Sequence, residues 1–180
     1  MNVLVTGAKG FIGRNLVVAL GRIANVAVIE YDVDSPPGCL DESLVSADVI
    51  FHLAGVNRPN CEDEFIQNNV NLTERICDIL KRSGRKPRLI FSSSTQAVQD
   101  NPYGKSKYEA EKIVLDYGRL GSGALTVIFR LPGIFGKWAR PNYNSVVATF
   151  CHNIARGQAV QITDVSREIE LVYIDDVVAA

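Results

Sequence analysis

Apolar residues along this chain come in two textures, short unbroken runs and longer stretches at helical spacing, and the two alternate. Val3-Leu4-Val5 is an unbroken run, as expected of a parallel strand buried on both faces. Phe11, Ile12, Leu16, Val17 and Leu20 then recur at helical spacing. Val26–Glu30 predicts a second strand, and Leu44 and Val45 a short helix. Asp48–Ala54 predicts a third strand, and Cys61–Arg82 a long amphipathic helix with Phe65, Ile66, Val70, Leu72, Ile76, Ile79 and Leu80 on its buried face. Arg88–Ser93 reads as a fourth strand. A helix opens near Tyr103 and runs to about Leu120, closed by Gly121–Gly123, and Leu125–Arg130 is a fifth strand. The alternation predicts an α/β fold, a doubly wound parallel sheet flanked by helices.

After Leu131-Pro132-Gly133 the pattern loosens. Residues 135–145, with Trp138 and Tyr143, read as a loop covering a pocket. A helix over Ser145–Ala155, strands near Val160–Ile162 and Ile169–Val172, and a helix capped by Asp175 complete the prediction.

The punctuation between elements carries the chemistry. GAKGFIG, Gly7 to Gly13, lies between a predicted strand and a predicted helix, the context in which a glycine turn cradles a pyrophosphate at a helix N-terminus. Gly7, Gly10 and Gly13 let the backbone approach, with Lys9, Phe11 and Ile12 between them. Asp32, past the end of the second strand, is placed to bond a ribose 2′-hydroxyl and to repel a 2′-phosphate. Leu53-Ala54-Gly55 ends the third strand in small residues against which a cofactor can lie. His52, inside an apolar run, reads as a packed core residue. Asn68, Asn69 and Asn71 interrupt good helix formers, which points to a tertiary contact. Ser92-Ser93-Ser94-Thr95 places hydroxyls at a strand's carboxyl end. Tyr103 and Lys107 stand four apart, on one face of a helix beginning at Pro102. An ammonium near a phenol lowers its pKa from about 10 and suits it to proton transfer.

Composition adds limits. The chain has 180 residues, 47% apolar and 22% charged, with a formal net charge of −1, which gives no field for nucleic acid or an anionic membrane. The basic cluster Lys81, Arg82, Arg85, Lys86 and Arg88 suits a helix C-terminus. Cys39, Cys61, Cys77 and Cys151 are scattered without metal-ligand spacing and read as reduced thiols of a cytoplasmic protein, with no metal site. No apolar run reaches a spanning length, and no signal pattern opens the chain.

Taken in order, GAKGFIG, DVIFHLAG, NNVNLT, FSSST, PYGKSK and YIDDV resemble the motif series of the extended short-chain dehydrogenase/reductases, which act on nucleotide sugars. HLAGVNRP, QDNPYGKSK and FGKWARPNYNSVVATFC are similar to the reductases of bacterial capsular-polysaccharide synthesis in the UDP-N-acetyl-L-fucosamine pathway, which carry a C-terminal cupin domain.

The resemblance implies an NAD(P)-binding Rossmann domain over 1–133 and the start of a substrate lobe over 134–180, the rest of the lobe and the cupin lying outside this chain. It implies reduction of the 4-keto group of a UDP-linked 6-deoxy-N-acetylhexosamine, with a homodimer as the expected assembly. Tyr103 would give the proton, Ser94 would bond the ketone oxygen, Lys107 would hold the nicotinamide ribose, and Asn69 would support the site. Asp48 is carried over as a distant adenine-side residue. NADPH is the implied cofactor, with Lys9 and Arg14 as partners of its extra phosphate, although Asp32 argues by charge for NAD. The series also departs from the family's pattern: the gap from Ser94 to Tyr103 is short, and the arginine-aspartate-aromatic motif before YIDDV is absent as such, which leaves open whether Arg167 replaces its phosphate contact. Thr95-Gln96 stand where dehydratases carry an acidic pair. The alternatives are a UDP-sugar 4-epimerase and a non-catalytic dinucleotide-binding regulator.

Overall fold

The computed structural model describes residues 1–119 and 124–180. The predicted helix end at Leu120 and its Gly121–Gly123 closure lie outside the described residues. The chain divides into two compact units, Met1–Leu131 and Pro132–Ala180.

The first unit is a five-stranded sheet in the order β2-β1-β3-β4-β5, every neighbouring pair parallel. Its strands are β1 (Asn2–Thr6), β2 (Ala27–Tyr31), β3 (Val49–His52), β4 (Arg88–Ser94) and β5 (Thr126–Leu131). Val3, Leu4 and Val5 are at most 1% exposed, as the unbroken apolar run required. Helices α1 (Phe11–Leu20), α2 (Cys39–Ser46), α3 (Asp63–Phe65), α4 (Leu72–Ser83) and α5 (Pro102–Arg119) connect them. Leu4, Leu44, Ile50, Ile76, Leu80, Phe91 and Val114 meet in one core that joins the sheet to α2, α4 and α5.

Two local features depart from the sequence pattern. The predicted helix Cys61–Arg82 is interrupted by a π turn, Ile66–Asn71, between α3 and α4. The wider turn rotates Asn69 inward, where it is 1% exposed, so this asparagine is set by a tertiary contact and not by helix propensity. Asp48, carried over as an adenine-side residue, sits at the opposite, amino end of the sheet. Its Oδ2 accepts from the Asn2 N–H at 2.8 Å, so it ties β1 to β3 far from the strands' carboxyl ends.

In the second unit, β6 (Gly133–Phe135) pairs in parallel with β7 (Leu171–Tyr173), so Phe135, expected at the start of a loop, ends a strand. Ser145 caps α6 (Val146–Ile154), its Oγ accepting from the Ala148 N–H at 3.3 Å. No strand forms at Val160–Ile162, and Ile162 is 62% exposed. Asp175 is not the cap of α7 (Ile174–Ala179), which begins after Tyr173. It lies in the first turn, where a carboxylate suits the helix dipole, and pairs with Lys137 at 3.0 Å.

Candidate active site

The strand order reverses between β1 and β3, because the chain leaves β1 toward β2 and returns on the other side. Ligands of open parallel sheets bind at that reversal, at the carboxyl ends of the strands. Here the end of β1 is the glycine turn and the end of β3 is Leu53-Ala54-Gly55. Gly7 has φ +70°, and a Cβ there would come within 2.8 Å of the Ala54 backbone, so the turn and the end of β3 lie in direct contact. Gly10 precedes α1 and no side chain caps that helix, whose first turn holds Phe11, Ile12 and Gly13. Its N–H groups and positive dipole end are therefore available to an anion. These residues fit a dinucleotide pyrophosphate.

Asp32 reaches back to the same turn. Its Oδ2 accepts from the Lys9 N–H at 2.7 Å and its Oδ1 from the Val33 N–H at 2.8 Å. The Lys9 ammonium pairs with Asp34, and that bond, reinforced by Asp32 and Glu30, raises the amine above its ordinary value.

Behind β4 the chain makes a single 3-10 turn, Thr95–Val98, and then enters α5. Asn101 Oδ1 accepts from the Gly104 N–H at 2.7 Å and so caps α5, with Pro102 as its first residue. This short path brings Tyr103 back over the end of β4, where the Ser94 hydroxyl stands near enough to its phenol to favour the phenolate. Ser94 Oγ also accepts from the Gln96 N–H at 3.2 Å, which fixes its orientation. The Tyr103 ring packs against Phe65, with centroids 5.9 Å apart.

Lys107 lies one turn further along α5 and is 5% exposed. Its Nζ sits 4.4 Å from the centre of the Phe91 ring and 3.9 Å from where a Cβ on Gly55 would stand. Burial pulls the amine down to about 8, against the opposing pull of Glu111. The spacing of the pair predicted a phenol lowered by the amine. Instead burial holds the Tyr103 phenol above its ordinary value, and the group that opposes this is Ser94, not Lys107.

Asn69 links the segment after β3 to α5. Its Oδ1 accepts from the Val56 N–H at 2.7 Å, and its Nδ2 donates to the Val56 carbonyl at 2.9 Å and to Ser106 Oγ at 2.9 Å. Gly55 is required beside it, since a Cβ there would stand 2.8 Å from Asn69 Oδ1.

The backbone of Asn69 is held in turn. Thr73 Oγ1–H donates to the Asn69 carbonyl at 2.6 Å, so that hydroxyl must accept from His52 Nε2–H, 2.9 Å away. His52 Nδ1 then accepts from Thr6 Oγ1–H at 2.8 Å, and Thr6 Oγ1 accepts from the Ala54 N–H at 3.2 Å. His52 is thus a neutral core histidine. Burial, with the Lys107 charge adding to it, lowers it to about 3.

The structure thus collects Ser94, Tyr103, Lys107 and Asn69 at the carboxyl ends of β3 and β4, and Gly7, Lys9, Gly10, Phe11, Ile12, Gly13 and Asp32 at the end of β1, with Leu53, Ala54 and Gly55 between them. Sequence reasoning missed Ser106, Thr6 and Thr73, ordinary hydroxyls with no local signal. It also passed over Glu111, whose place one turn beyond Lys107 on the same helix face was readable from spacing alone.

These features define a nucleotide-binding α/β protein with a hydroxyl, a phenol and an amine at the reversal of its sheet. Residues 3–180 match the NAD dependent epimerase/dehydratase family, and the chain belongs to that family. It is 51% identical over 178 residues, 99% of its length, to a UDP-2-acetamido-2,6-beta-L-arabino-hexul-4-ose reductase of Pseudomonas aeruginosa, of which it covers 48%. A crystal structure of the capsular polysaccharide assembling protein CapF from Staphylococcus aureus superposes with a TM-score of 0.88 at 45% identity, over 99% of this chain and 48% of that one. A UDP-glucuronic acid 4-epimerase of Bacillus cereus in complex with NAD shares the fold at 20% identity, TM-score 0.86, over 99% of this chain and 72% of that one. The chain therefore spans about half the length of the reductase and of CapF.

Proposed function

We propose that this chain is the reductase part of a sugar-nucleotide enzyme, one that reduces the 4-ketone of a UDP-linked 6-deoxy-N-acetylhexosamine for a capsule or O-antigen. The observation that carries this is the Ser94 hydroxyl set near the Tyr103 phenol, with the buried Lys107 one turn further along α5. The names of the Pseudomonas reductase and of CapF support the substrate class. The reduced nicotinamide supplies the hydride when bound.

The chain's own residues do the rest. A phenol held above its ordinary value keeps its proton at neutral pH and has it to give, so Tyr103 serves as the acid toward the ketone oxygen. Ser94, oriented by the Gln96 N–H, bonds the same oxygen. Lys107 places a positive charge where the phenolate forms and reaches toward the cofactor ribose. Asn69 keeps the Val56 segment against α5 so that the amine stays in place.

We assign 1–133 to cofactor binding and 134–180 to the opening part of a substrate lobe, where Trp138 and Tyr143 supply aromatic surface for the uracil. A homodimer in the cytoplasm is the assembly we propose. Among the described residues no helix is long and apolar enough to cross a membrane.

For the cofactor, the resemblance implies NADPH, but the end of β2 supports NADH. Glu30, Asp32 and Asp34 surround the one ammonium of Lys9, which is already paired, and this acidic field opposes a 2′-phosphate. The catalytic efficiency with NADH should exceed that with NADPH, and Asp32→Ala should narrow the ratio at least about tenfold. A wild-type preference for NADPH contradicts this assignment.

The test of the function is the near-ultraviolet absorbance of the reduced nicotinamide. It should fall when a 4-keto UDP-hexosamine is added, and Tyr103→Phe should slow the fall by about 10²- to 10⁴-fold while still binding cofactor. An epimerase would show no net consumption, and a regulator would bind cofactor and never oxidise it.

A further inference from the structure

One ionic group close to the site takes no part in that chemistry. Glu111 is 3% exposed on α5, one turn beyond Lys107. Its Oε1 accepts from Ser93 Oγ–H at 2.5 Å and from Arg130 Nε at 2.9 Å, and its Oε2 accepts from Arg130 Nη2 at 2.7 Å. Arg130 is the β5 register partner of Ser93, and Leu131 that of Ser94. One carboxylate therefore joins β4, β5 and α5 at the residue before the Ser94 hydroxyl and at the turn after the Lys107 amine.

We propose that the Glu111–Arg130 pair is a positioning device for the site: it clamps the Ser93–Ser94 end of β4 to α5, and it sets a carboxylate of controlled charge one helical turn from the buried Lys107 amine.

A buried ion pair whose only task is stability is replaceable by apolar residues at little loss. This one is asymmetric. Arg130 is 43% exposed in its side chain, whereas Glu111 is 4% exposed, and Glu111 is the charged group that acts on the Lys107 amine. The groups facing Lys107 are Glu111 on its own helix, the Phe91 ring on β4, Gly55 after β3, and the neutral His52 on β3. Glu111 is the carboxylate among them. The groups facing Glu111 are Ser93 on β4, Arg130 on β5 and Lys107 on α5. Burial pushes its carboxyl up, but the bonds from Arg130 and Ser93 overcome this and leave it below its ordinary value, ionised wherever the enzyme works. An ammonium one turn away is favoured by that charge, and the guanidinium limits by how much.

The inference rests on the reductase reading for its purpose but not for its test. The full chain, labelled with 13C at the lysine Cε, is titrated by NMR and the Lys107 resonance identified by its loss in Lys107→Met. Glu111→Gln should move the Lys107 midpoint down by about one pH unit. Arg130→Gln should move it up, because it leaves the carboxylate unopposed, and Arg130→Lys should restore it toward wild type. A purely structural pair would not move the midpoint in opposite directions. An unmoved midpoint in Glu111→Gln, or a downward move in Arg130→Gln, overturns the proposal. If Glu111→Gln does not fold, Arg130→Gln decides alone, an upward move supporting the device and an unmoved or lower midpoint overturning it. Ketosugar reduction is assayed separately. Loss of that activity from the wild type with the shifts intact refutes the reductase reading only, and reduction with no shifts refutes the device only.

Discussion

Lys107 concentrates the conflict between stability and chemistry in one residue. Its amine is buried against Phe91 and drawn from 10.5 to about 8, so the folded chain holds it as a charge at a cost. Between these two values the folded chain binds fewer protons at this site than the unfolded chain, and stability rises with pH across that window. Lys107→Met should therefore be more stable than wild type near neutral pH, by on the order of 2 kcal/mol in urea denaturation, and should lack the rise above about pH 8. The same variant should have lost reductase activity. A destabilised Lys107→Met would mean that the amine contributes more in contacts than its burial costs. Cys77 shows the opposite outcome for a buried titratable group. Its thiol is pushed up to about 12 by burial and has no charge to exploit, so thiol reagents should label the exposed Cys61 and Cys151 and spare Cys77 in the folded chain.

At the scale of elements, the hydrogen-bonded series Ala54–Thr6–His52–Thr73–Asn69 joins β1, β3, the π turn and α4 through one neutral imidazole. His52 has its folded value lowered from 6.5 to about 3, so its contribution is fully present above about pH 6.5 and is lost as the pH falls toward 3. The urea midpoint should drop across that range. His52→Leu should lose about 1–3 kcal/mol at neutral pH from the stranded Thr6 and Thr73 hydroxyls and should show a shallower acid slope. An equal slope in both proteins would place the acid sensitivity elsewhere.

The strands, their order of appearance and the Tyr103–Lys107 face were legible in the sequence because unbroken apolar runs and helical spacing are local signals. The π turn was not: the extra residue shifts the stripe, so that Ile66, expected on the buried face, is 52% exposed and Asn69 turns inward, and apolar spacing carries no mark of that shift. Asn69 was legible twice, as one of three poor helix formers and as part of the NNVNLT resemblance. The direction of the phenol's shift was also illegible: four-residue spacing says that Tyr103 and Lys107 share a face, but burial raises the phenol and the neighbouring Ser94 opposes it. The β6–β7 ladder was half missed because three-residue strands carry too few positions to show alternation.

At the scale of the molecule, the chain presents a complete reversal point in its parallel sheet and a second unit of short elements around β6 and β7. The residues proposed for cofactor and proton chemistry lie within Met1–Leu131, where the motif series is densest. Recognition of the sugar has no comparable signature in Pro132–Ala180; Trp138, Arg140 and Tyr143 are aromatic and basic residues whose task spacing does not reveal. The measurement that bears most directly on the central claim is the fate of the hydride. The chain is incubated with a 4-keto UDP-hexosamine and reduced nicotinamide carrying deuterium at the ring C4, and the sugar product is read by NMR and mass spectrometry. The account predicts one deuterium at C4 of the sugar, one cofactor oxidised per sugar, and neither in Tyr103→Phe over the same interval. A sugar inverted at C4 with no deuterium and no oxidised cofactor would contradict it.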